Sequence, residues 1–372
     1  MRVTSSAASG APPGRYGHRP GEAVKDALAS MEFMRMTLDV RSLRRLVDDL
    51  RAPRPRRYLL DMVLAASASW ATVAVVATTR SLPLRLLAGI VAAFLLYRAV
   101  SFIHEFVHQP QLDRLRWLWH AAVGVPMLLP LLIYQPVHRA HHGAKVYGTK
   151  ADGEYEDFGG RLFPMVAKTI LINLVTPVAL LLRFMVLVPL AALVPWVRRE
   201  ILPSAVHLSL RVPHRVDGSR PVGTTLETTL VEWACFAWAS GLVLLAVAGH
   251  PRWLLTWAAL LVAVAMLNTV RFLCATHLYL EQPAGRETAA QIDDSVNVSG
   301  GVLAPLLCPV GLRYHALHHL APFLPYHALP EAHRRIMAAL PASSSYHRAT
   351  VANMREGWRR IRAATRQAGS VG

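Results

Sequence analysis

Long apolar runs separated by arginine-rich stretches form the main pattern of this chain. Four runs, roughly residues 58–78, 84–103, 233–248 and 253–273, approach the length of a membrane span, since a bilayer core needs about 20 apolar residues per helix. Short turns, TRSLP and GHPR, join the first two runs and the last two. The pattern therefore predicts an all-α integral membrane protein with four transmembrane helices.

The rest of the chain divides around these spans into three predicted regions. Residues 1–25 contain no apolar core, so we expect no cleavable secretory signal and a disordered tail there. The rest of residues 1–57 is expected to form a cytoplasmic amphipathic and basic segment. Residues 58–335 form the predicted membrane domain, and residues 336–372 a basic cytoplasmic tail. A multi-pass protein with both termini on one side follows from this division.

The formal charge of +17 restricts both the partners and the orientation of the chain. Arginines flank the apolar runs, as at 51–57 (RAPRPRR) and 198–199, instead of forming a basic stripe on a soluble domain. We therefore expect a membrane surface, and not nucleic acid, to face this charge. With the termini inside, the two outer loops hold only Arg80, Arg85 and Arg252. The positive-inside rule then predicts cytoplasmic N- and C-termini.

The three cysteines, Cys235, Cys274 and Cys308, are isolated from one another. Without a C-x-x-C pair they favour neither a zinc knuckle nor an iron–sulfur module. We interpret them as buried thiols in a reducing compartment, and we predict no bound organic cofactor.

Histidines supply the candidate chemistry, in three clustered motifs. HEFVH starts at residue 104, whereas HRAHH at 138 and HALHH at 315 share the spacing H-x-x-H-H. On a helix, positions i, i+3 and i+4 share one face, so each motif directs its imidazoles the same way. With the histidine just past the fourth span, the predicted metal ligands are His104, His108, His138, His141, His142, His277, His315, His318 and His319. Nine imidazoles exceed the three or four ligands of one zinc site about twofold, which predicts a centre with more than one metal.

A shared metal centre limits how the two remaining apolar runs meet the membrane. If residues 117–134 crossed the bilayer, His104 and His138 would lie on opposite sides of it. The same parity argument applies to residues 163–196, which prolines interrupt. We therefore predict that residues 117–134 form an interfacial or re-entrant helix pair and that residues 163–196 form either a hairpin or surface-lying helices. The histidines then form a cap on the cytoplasmic face.

Carboxylates near the motifs are candidates for orienting the imidazoles, because a ligating histidine commonly donates its other ring N–H to such a group. Asp152, Glu154 and Asp157 follow the second motif, and Glu105 lies inside the first. A solvated acidic loop is the alternative interpretation of the first three.

Together, HEFVH, HRAHH and HALHH resemble the three histidine boxes of the integral-membrane fatty acid desaturase and hydroxylase superfamily. The resemblance extends over about residues 99–333, and GLRYHALHHLAPFLPYH is similar to the third-box region of bacterial members. It implies two non-haem iron ions, O2 as co-substrate, a lipid or acyl-chain substrate and a metal site on the cytoplasmic face of a bacterial inner membrane. The family adds a water-mediated asparagine ligand, for which Asn268 and Asn297 are the candidates.

The resemblance further implies an oxidoreductase that introduces a double bond into a fatty acyl chain. Hydroxylation of a lipid chain at the same centre is the alternative, because both reactions share their first steps. We find no fused cytochrome b5-like module in the pattern, so we expect electrons from a separate ferredoxin or cytochrome b5-like donor. A basic cytoplasmic surface would attract an acidic donor.

Two other classes of protein fit parts of the pattern. HEFVH matches the zinc metalloprotease motif H-E-x-x-H, with Glu105 as general base, but a protease leaves the other two motifs unused. A metal transporter needs ligands at mid-membrane depth, whereas these histidines are predicted beyond the ends of the spans.

Overall fold

Helices make up most of the described chain, as the apolar runs predict. The fold comes from a computed structural model that describes residues 39–149, 151–155, 161–202, 225–280 and 287–369. The predicted tail up to residue 38 and the candidate Asp157 lie outside the described residues. The helices, in chain order, are α1 (Val40–Leu46), α2 (Pro55–Thr78), α3 (Leu82–His108), α4 (Asp113–Trp119), α5 (Leu131–His141), α6 (Leu162–Leu182), α7 (Val188–Leu193), α8 (Leu226–Val247), α9 (Pro251–Ala275), α10 (Thr288–Asp294), α11 (Ala304–Leu307), α12 (His315–Leu320), α13 (Leu329–Ala339), α14 (Ser345–Arg348) and α15 (Met354–Gly369). The two short strands are β1 (Asn297–Val298) and β2 (Thr350–Val351).

Helices α2 and α3 pack along each other, and α3 carries the first histidine motif. Pro55 stands in the first turn of α2, where its missing N–H costs no helical hydrogen bond. Small buried side chains, among them Ala65 and Ala92, allow the close approach of the two helices. Helix α3 continues to His108, so HEFVH forms the last turns of the span, whereas the sequence predicted it just beyond the end.

The segment between α3 and α5 enters the helix bundle and returns to the same end. Trp70 Nε1 donates to the carbonyl oxygen of Ala122 at 2.7 Å, and Trp257 Nε1 donates to that of Pro126 at 2.9 Å. Trp70 lies 15 residues after the start of α2, and Trp257 lies 6 residues after the start of α9. Both tryptophans therefore belong to the half of the bundle remote from the histidines. These contacts agree with the re-entrant course predicted for residues 117–134.

By length and composition, five of the described helices could cross a membrane, one more than the sequence predicted. Four of them are α2, α3, α8 and α9, and the fifth runs from Leu162 to Leu193 through α6, a π-helical turn and α7. A single crossing by the fifth helix would separate the histidines that precede it from those that follow it.

Two polar contacts place the fifth helix at shallow depth. Asn173 Nδ2 donates to Thr269 Oγ1 at 2.9 Å, and Arg183 Nη2 pairs with Glu232 Oε1 at 2.9 Å. Thr269 lies six residues before the end of α9 and Glu232 six residues after the start of α8, which is about 9 Å in from the helix ends nearest the histidines. Two distant points of the fifth helix therefore lie at similar depth, which agrees with the course along the membrane surface predicted for residues 163–196. The predicted number of four crossings stays a prediction.

Beyond the spans, the chain folds into a layer around the histidines. Strands β1 and β2 pair in parallel, with Asn297 opposite Thr350, and add a small sheet to the predicted all-α fold. Helix α15 packs closely on α9, because a Cβ on Gly357 would lie 1.9 Å from the carbonyl oxygen of Cys274. The domain boundaries at residues 57 and 335 stay predictions.

Candidate metal centre

The histidines of the three motifs come together in two groups of four. Within each group, the possible ligand atoms lie within 4.8 Å of one another. One group contains His104, His108, His138 and His318, and the other contains His141, His277, His315 and His319. Each H-x-x-H-H motif therefore contributes to both groups. Because neighbouring residues of one short helix belong to different groups, the two candidate metal sites lie close to each other.

The ninth predicted ligand, His142, belongs with the first group. Its Nε2 lies 2.9 Å from Nε2 of His318 and 3.3 Å from Nε2 of His138. Its ring centroid also lies 4.6 Å from that of His319, a member of the second group. All nine predicted ligands are thus brought into one cluster.

Several ring nitrogens of the cluster fit a cation. Both ring nitrogens of His104 and Nε2 of His108 are buried without a hydrogen-bond partner in the part of the chain that the structure describes. In the second group, Nε2 of His315 lies 2.9 Å from Nε2 of His277 and 3.2 Å from Nε2 of His319. Buried polar atoms are normally hydrogen-bonded, so a metal ion would satisfy nitrogens of this kind. The residues present therefore fit two metal ions.

Electrostatics favour the neutral imidazoles that a metal requires. Burial lowers the pKa of the imidazoles outside the spans, and repulsion from a neighbouring imidazole lowers it further. This holds for His138, His142, His277, His315, His318 and His319.

Two carboxylates after the second motif orient imidazoles of both groups. His141 Nδ1 lies 2.8 Å from Asp152 Oδ2, and His138 Nδ1 lies 2.9 Å from Glu154 Oε1. With the Nδ1 proton donated to a carboxylate, Nε2 remains available for a metal. Burial alone would lower the pKa of His141, but the hydrogen bond and charge of Asp152 outweigh it and raise that pKa. The loop is therefore not a solvated acidic segment at these two positions.

The other candidates contact the site less directly. Asn297 Oδ1 accepts a bond from the backbone N–H of Leu317 at 3.0 Å and so holds helix α12, which carries the third motif. Asn268 Oδ1 accepts a bond from Arg271 Nε at 3.0 Å. The Glu105 carboxylate accepts bonds from the Tyr58 hydroxyl and the Tyr326 N–H, both outside the histidine groups, which does not fit a general base at a metal.

Sequence reasoning missed part of the surrounding network on and next to α10. Gln291 Oε1 lies 2.9 Å from His319 Nδ1. Asp294 Oδ2 accepts bonds at 2.8 Å from the hydroxyls of Tyr147 and Tyr155, and the Tyr147 oxygen lies 2.9 Å from His277 Nδ1. Gln291 and Asp294 are far along the sequence from the residues they contact. The spacing of the histidine motifs therefore could not predict them.

A cavity of about 250 Å³ opens beside the first histidine group. Its wall comes mainly from α3, the fifth span-length helix and α9, and it includes His104 and Glu154 at one end. Leu261 and Val264 line the part that lies deeper along α9. A long apolar molecule could therefore enter between the helices and reach the histidines.

Comparison with known proteins agrees with this geometry. The model of the family described as Fatty acid desaturase matches residues 80–350. A ceramide hydroxylase of Caulobacter vibrioides (strain NA1000 / CB15N) is 36% identical over 329 residues, which cover 85% of this chain and 92% of that relative. No solved structure gave a significant match.

The chain therefore belongs to the fatty acid desaturase family, as the three histidine motifs predicted. It is a lipid oxidoreductase of the desaturase and hydroxylase type, with apolar helices for a membrane and two histidine groups able to hold metal ions.

Proposed function

We propose that this protein is a membrane-bound di-iron enzyme that uses O2 to hydroxylate a ceramide-type lipid. The observation that carries the proposal is the cavity whose wall includes His104 of the first histidine group. A lipid chain in that cavity has carbons beside the proposed metal ligands. The likeness to the ceramide hydroxylase, which extends over 92% of that relative, favours hydroxylation and a ceramide-type substrate.

The two histidine groups are the proposed sites of two iron ions. Imidazole binds iron readily, whereas zinc has no redox chemistry for an oxidation. When bound, the iron pair would supply the activation of O2 that attack on an unactivated C–H bond requires. The proposed ligand sets are His104, His108, His138, His142 and His318 for one ion and His141, His277, His315 and His319 for the other.

Hydroxylation balances with one O2, two electrons and two protons. One oxygen atom is inserted into the C–H bond to give C–O–H, and the other leaves as water. Asp152 and Glu154 accept the Nδ1 protons of His141 and His138, which keeps the Nε2 atoms directed at the centre. The apolar part of the cavity wall excludes water and so protects the reaction from side reactions.

Desaturation of a lipid chain is the second candidate. The match to the Fatty acid desaturase model and the similarity of the third motif to bacterial members favour it. Both reactions begin by removing one hydrogen. In desaturation a second hydrogen leaves the neighbouring carbon, and both oxygen atoms leave as water with the same two electrons and two protons. The position of the second C–H bond relative to the centre decides between the two products.

The electrons are proposed to come from a separate one-electron donor, a ferredoxin or a cytochrome b5-like protein. Helix α15 packs on the histidine end of α9 and exposes Arg355, Arg359 and Arg362. Such a basic surface attracts an acidic donor. Both termini and the metal centre are proposed to face the cytoplasm at a bacterial inner membrane, by the positive-inside rule.

Lipid profiling tests the proposed function. Cells that express the wild-type protein should accumulate a ceramide-type lipid heavier by one oxygen atom, and cells that express His318→Ala should not. His250→Ala, in the hairpin between α8 and α9, is the control and should behave as wild type. A product lighter by two hydrogen atoms would replace hydroxylation by desaturation. No new lipid from well-folded, iron-loaded protein would contradict both.

A further inference from the structure

An arginine on α9 lies in the wall of the cavity. Arg271 is half-buried, and its Nε donates to Asn268 Oδ1 at 3.0 Å. No acidic side chain of the described residues forms an ion pair with it. Arg271 also interacts with the hydroxyl of Tyr97, another residue of the cavity wall. A guanidinium has five N–H donors, so N–H groups remain for a further partner.

Two other arginines of the helix bundle are neutralised by carboxylates. Arg98 forms a two-point ion pair with Asp61, and Arg183 pairs with Glu232 at 2.9 Å. A charge within a membrane-embedded bundle is costly and, where it is kept without a carboxylate, usually serves a ligand. Arg271 and the exposed Lys168 of α6 are both cations of the cavity wall without an ion pair among the described residues, and Arg271 is the more buried of the two.

Arg271 stands near the histidine end of the cavity. It stands four residues before the end of α9, and it shares the cavity wall with His104. The guanidinium therefore lies in the same cavity wall as a proposed ligand of the first histidine group.

The cavity wall changes in character along α9. Asn268 and Thr269 lie beside Arg271, and Asn173 of α6 faces them through its bond to Thr269. Leu261 and Val264, two to three turns deeper, continue the wall with apolar side chains. A lipid would therefore place its polar group near the histidines and its chain in the deeper part.

We propose that Arg271, with Asn268, binds a hydrogen-bond-accepting oxygen of the lipid's polar group and thereby places the carbons next to that group at the histidines. The inference rests on the proposed function and specifies it further. The oxidised carbon is then close to the polar group and not in the middle of the chain. The oxygen could be the amide carbonyl of a ceramide, the carboxylate of a free fatty acid or an ester oxygen of a phospholipid, since all three accept hydrogen bonds from guanidinium.

A binding experiment on metal-free protein tests the role of Arg271 without turnover. Arg271→Met should weaken binding of a ceramide about 10- to 100-fold, the usual effect of losing a hydrogen bond from a charged group, and Arg271→Lys should restore part of the affinity. Arg252→Met, at the far end of the same helix, is the matched control and should bind as wild type. A free fatty acid, a phospholipid and a hydrocarbon without a polar group complete the series. The lipid whose affinity depends most on Arg271 identifies the oxygen.

Equal ceramide, fatty acid and phospholipid affinities in wild type and Arg271→Met would overturn the inference, provided that the variant still binds two metal ions per chain. The position of the new oxygen atom, read by fragmentation of the product lipid, is the second measurement. A hydroxyl within a few bonds of the polar group supports the inference, and one in mid-chain overturns it while the proposed function stands. The absence of any hydroxylated product contradicts the proposed function, and the binding series still decides the role of Arg271.

Discussion

At the scale of single residues, the orientation of each imidazole is set by what its second nitrogen contacts. Asp152 is almost fully buried, and its carboxylate also accepts bonds from the backbone N–H groups of Gly148 and Glu154 at 2.9 and 3.0 Å. It is therefore held in place before any metal binds, and it fixes the ring of His141. A rigid supporting shell of this kind is what a precise metal site requires.

Replacing the Asp152 carboxylate should weaken metal binding. Asp152→Asn keeps the shape of the side chain but removes the negative charge that supports His141, so metal affinity should fall about 10- to 100-fold. Metal retained per chain after dialysis against increasing chelator measures the effect. Asp293→Asn, at an exposed position, is the matched control and should retain metal as wild type does. Equal retention by both variants would show that Asp152 does not support the site.

The buried histidines should make the metal-free protein sensitive to acid. Their pKa values are lowered in the folded protein, so the unfolded chain binds more protons below its own histidine pKa of about 6.5. The free energy of unfolding therefore falls as the pH drops through that value. The thermal midpoint of metal-free protein should be lower at about pH 5.5 than at about pH 7.5, and His318→Gln should reduce the difference while His250→Gln keeps it. A midpoint independent of pH would contradict this reading.

The shared face of the histidines within each motif was predictable from the sequence because local helix geometry fixes it, whereas their role as ligands stays a prediction. His138, His141 and His142 share one helical face wherever the helix lies, and Asp152 is only 11 residues beyond His141. Gln291 and Asp294 could not be predicted, since they reach His319 and Tyr147 only after α10 folds against distant elements. Asn297 was identified as a candidate, but its contact with a backbone N–H of α12 follows from tertiary structure alone.

At the scale of elements, Glu105 connects the first and third motifs. Its carboxylate joins Tyr58 of α2 to the backbone of Tyr326, just after α12, and the Tyr326 hydroxyl donates to Asp61 at 3.0 Å. The end of α3 and the loop after the third motif are thereby fixed to each other. The sequence offered Glu105 as a candidate for orienting an imidazole, and as a general base only under the metalloprotease alternative. The contacts instead describe a structural link between the two motifs.

Removing the Glu105 carboxylate should destabilise this link. Glu105→Leu leaves the Tyr58 hydroxyl and the Tyr326 N–H without an acceptor, which costs about 1–3 kcal/mol for each group. The thermal midpoint of purified protein in detergent measures the loss, with the exposed Glu227→Leu as control. A metalloprotease base would give the opposite result, with unchanged stability and lost activity.

At the scale of the whole molecule, the shared metal centre determines the membrane topology. His104, His138, His277 and His315 lie in one cluster, so we expect each segment between them to cross the bilayer an even number of times. The sequence predicts a re-entrant or interfacial course for residues 117–134 from this even number of crossings, and the contacts of Trp70 and Trp257 agree with it. Length and composition alone make the helix Leu162–Leu193 a candidate fifth span, because apolarity does not distinguish a helix along the membrane from one across it.

Accessibility of single cysteines tests the four crossings. In a variant without the three native cysteines, Arg80→Cys and Arg252→Cys should react with an impermeant maleimide from the outer side of the membrane. Trp196→Cys and Arg355→Cys should react only from the inner side. Reaction of Trp196→Cys together with Arg80→Cys would mean that the helix Leu162–Leu193 crosses the membrane.

The central claim is that lipid oxidation by O2 takes place at the histidine cluster. Turnover of a ceramide under ¹⁸O2, with a reduced one-electron donor, tests it most directly. We predict a hydroxylated lipid that carries one ¹⁸O atom from wild-type protein and none from His318→Ala. A product without ¹⁸O, or one that His318→Ala still forms, would contradict the assignment.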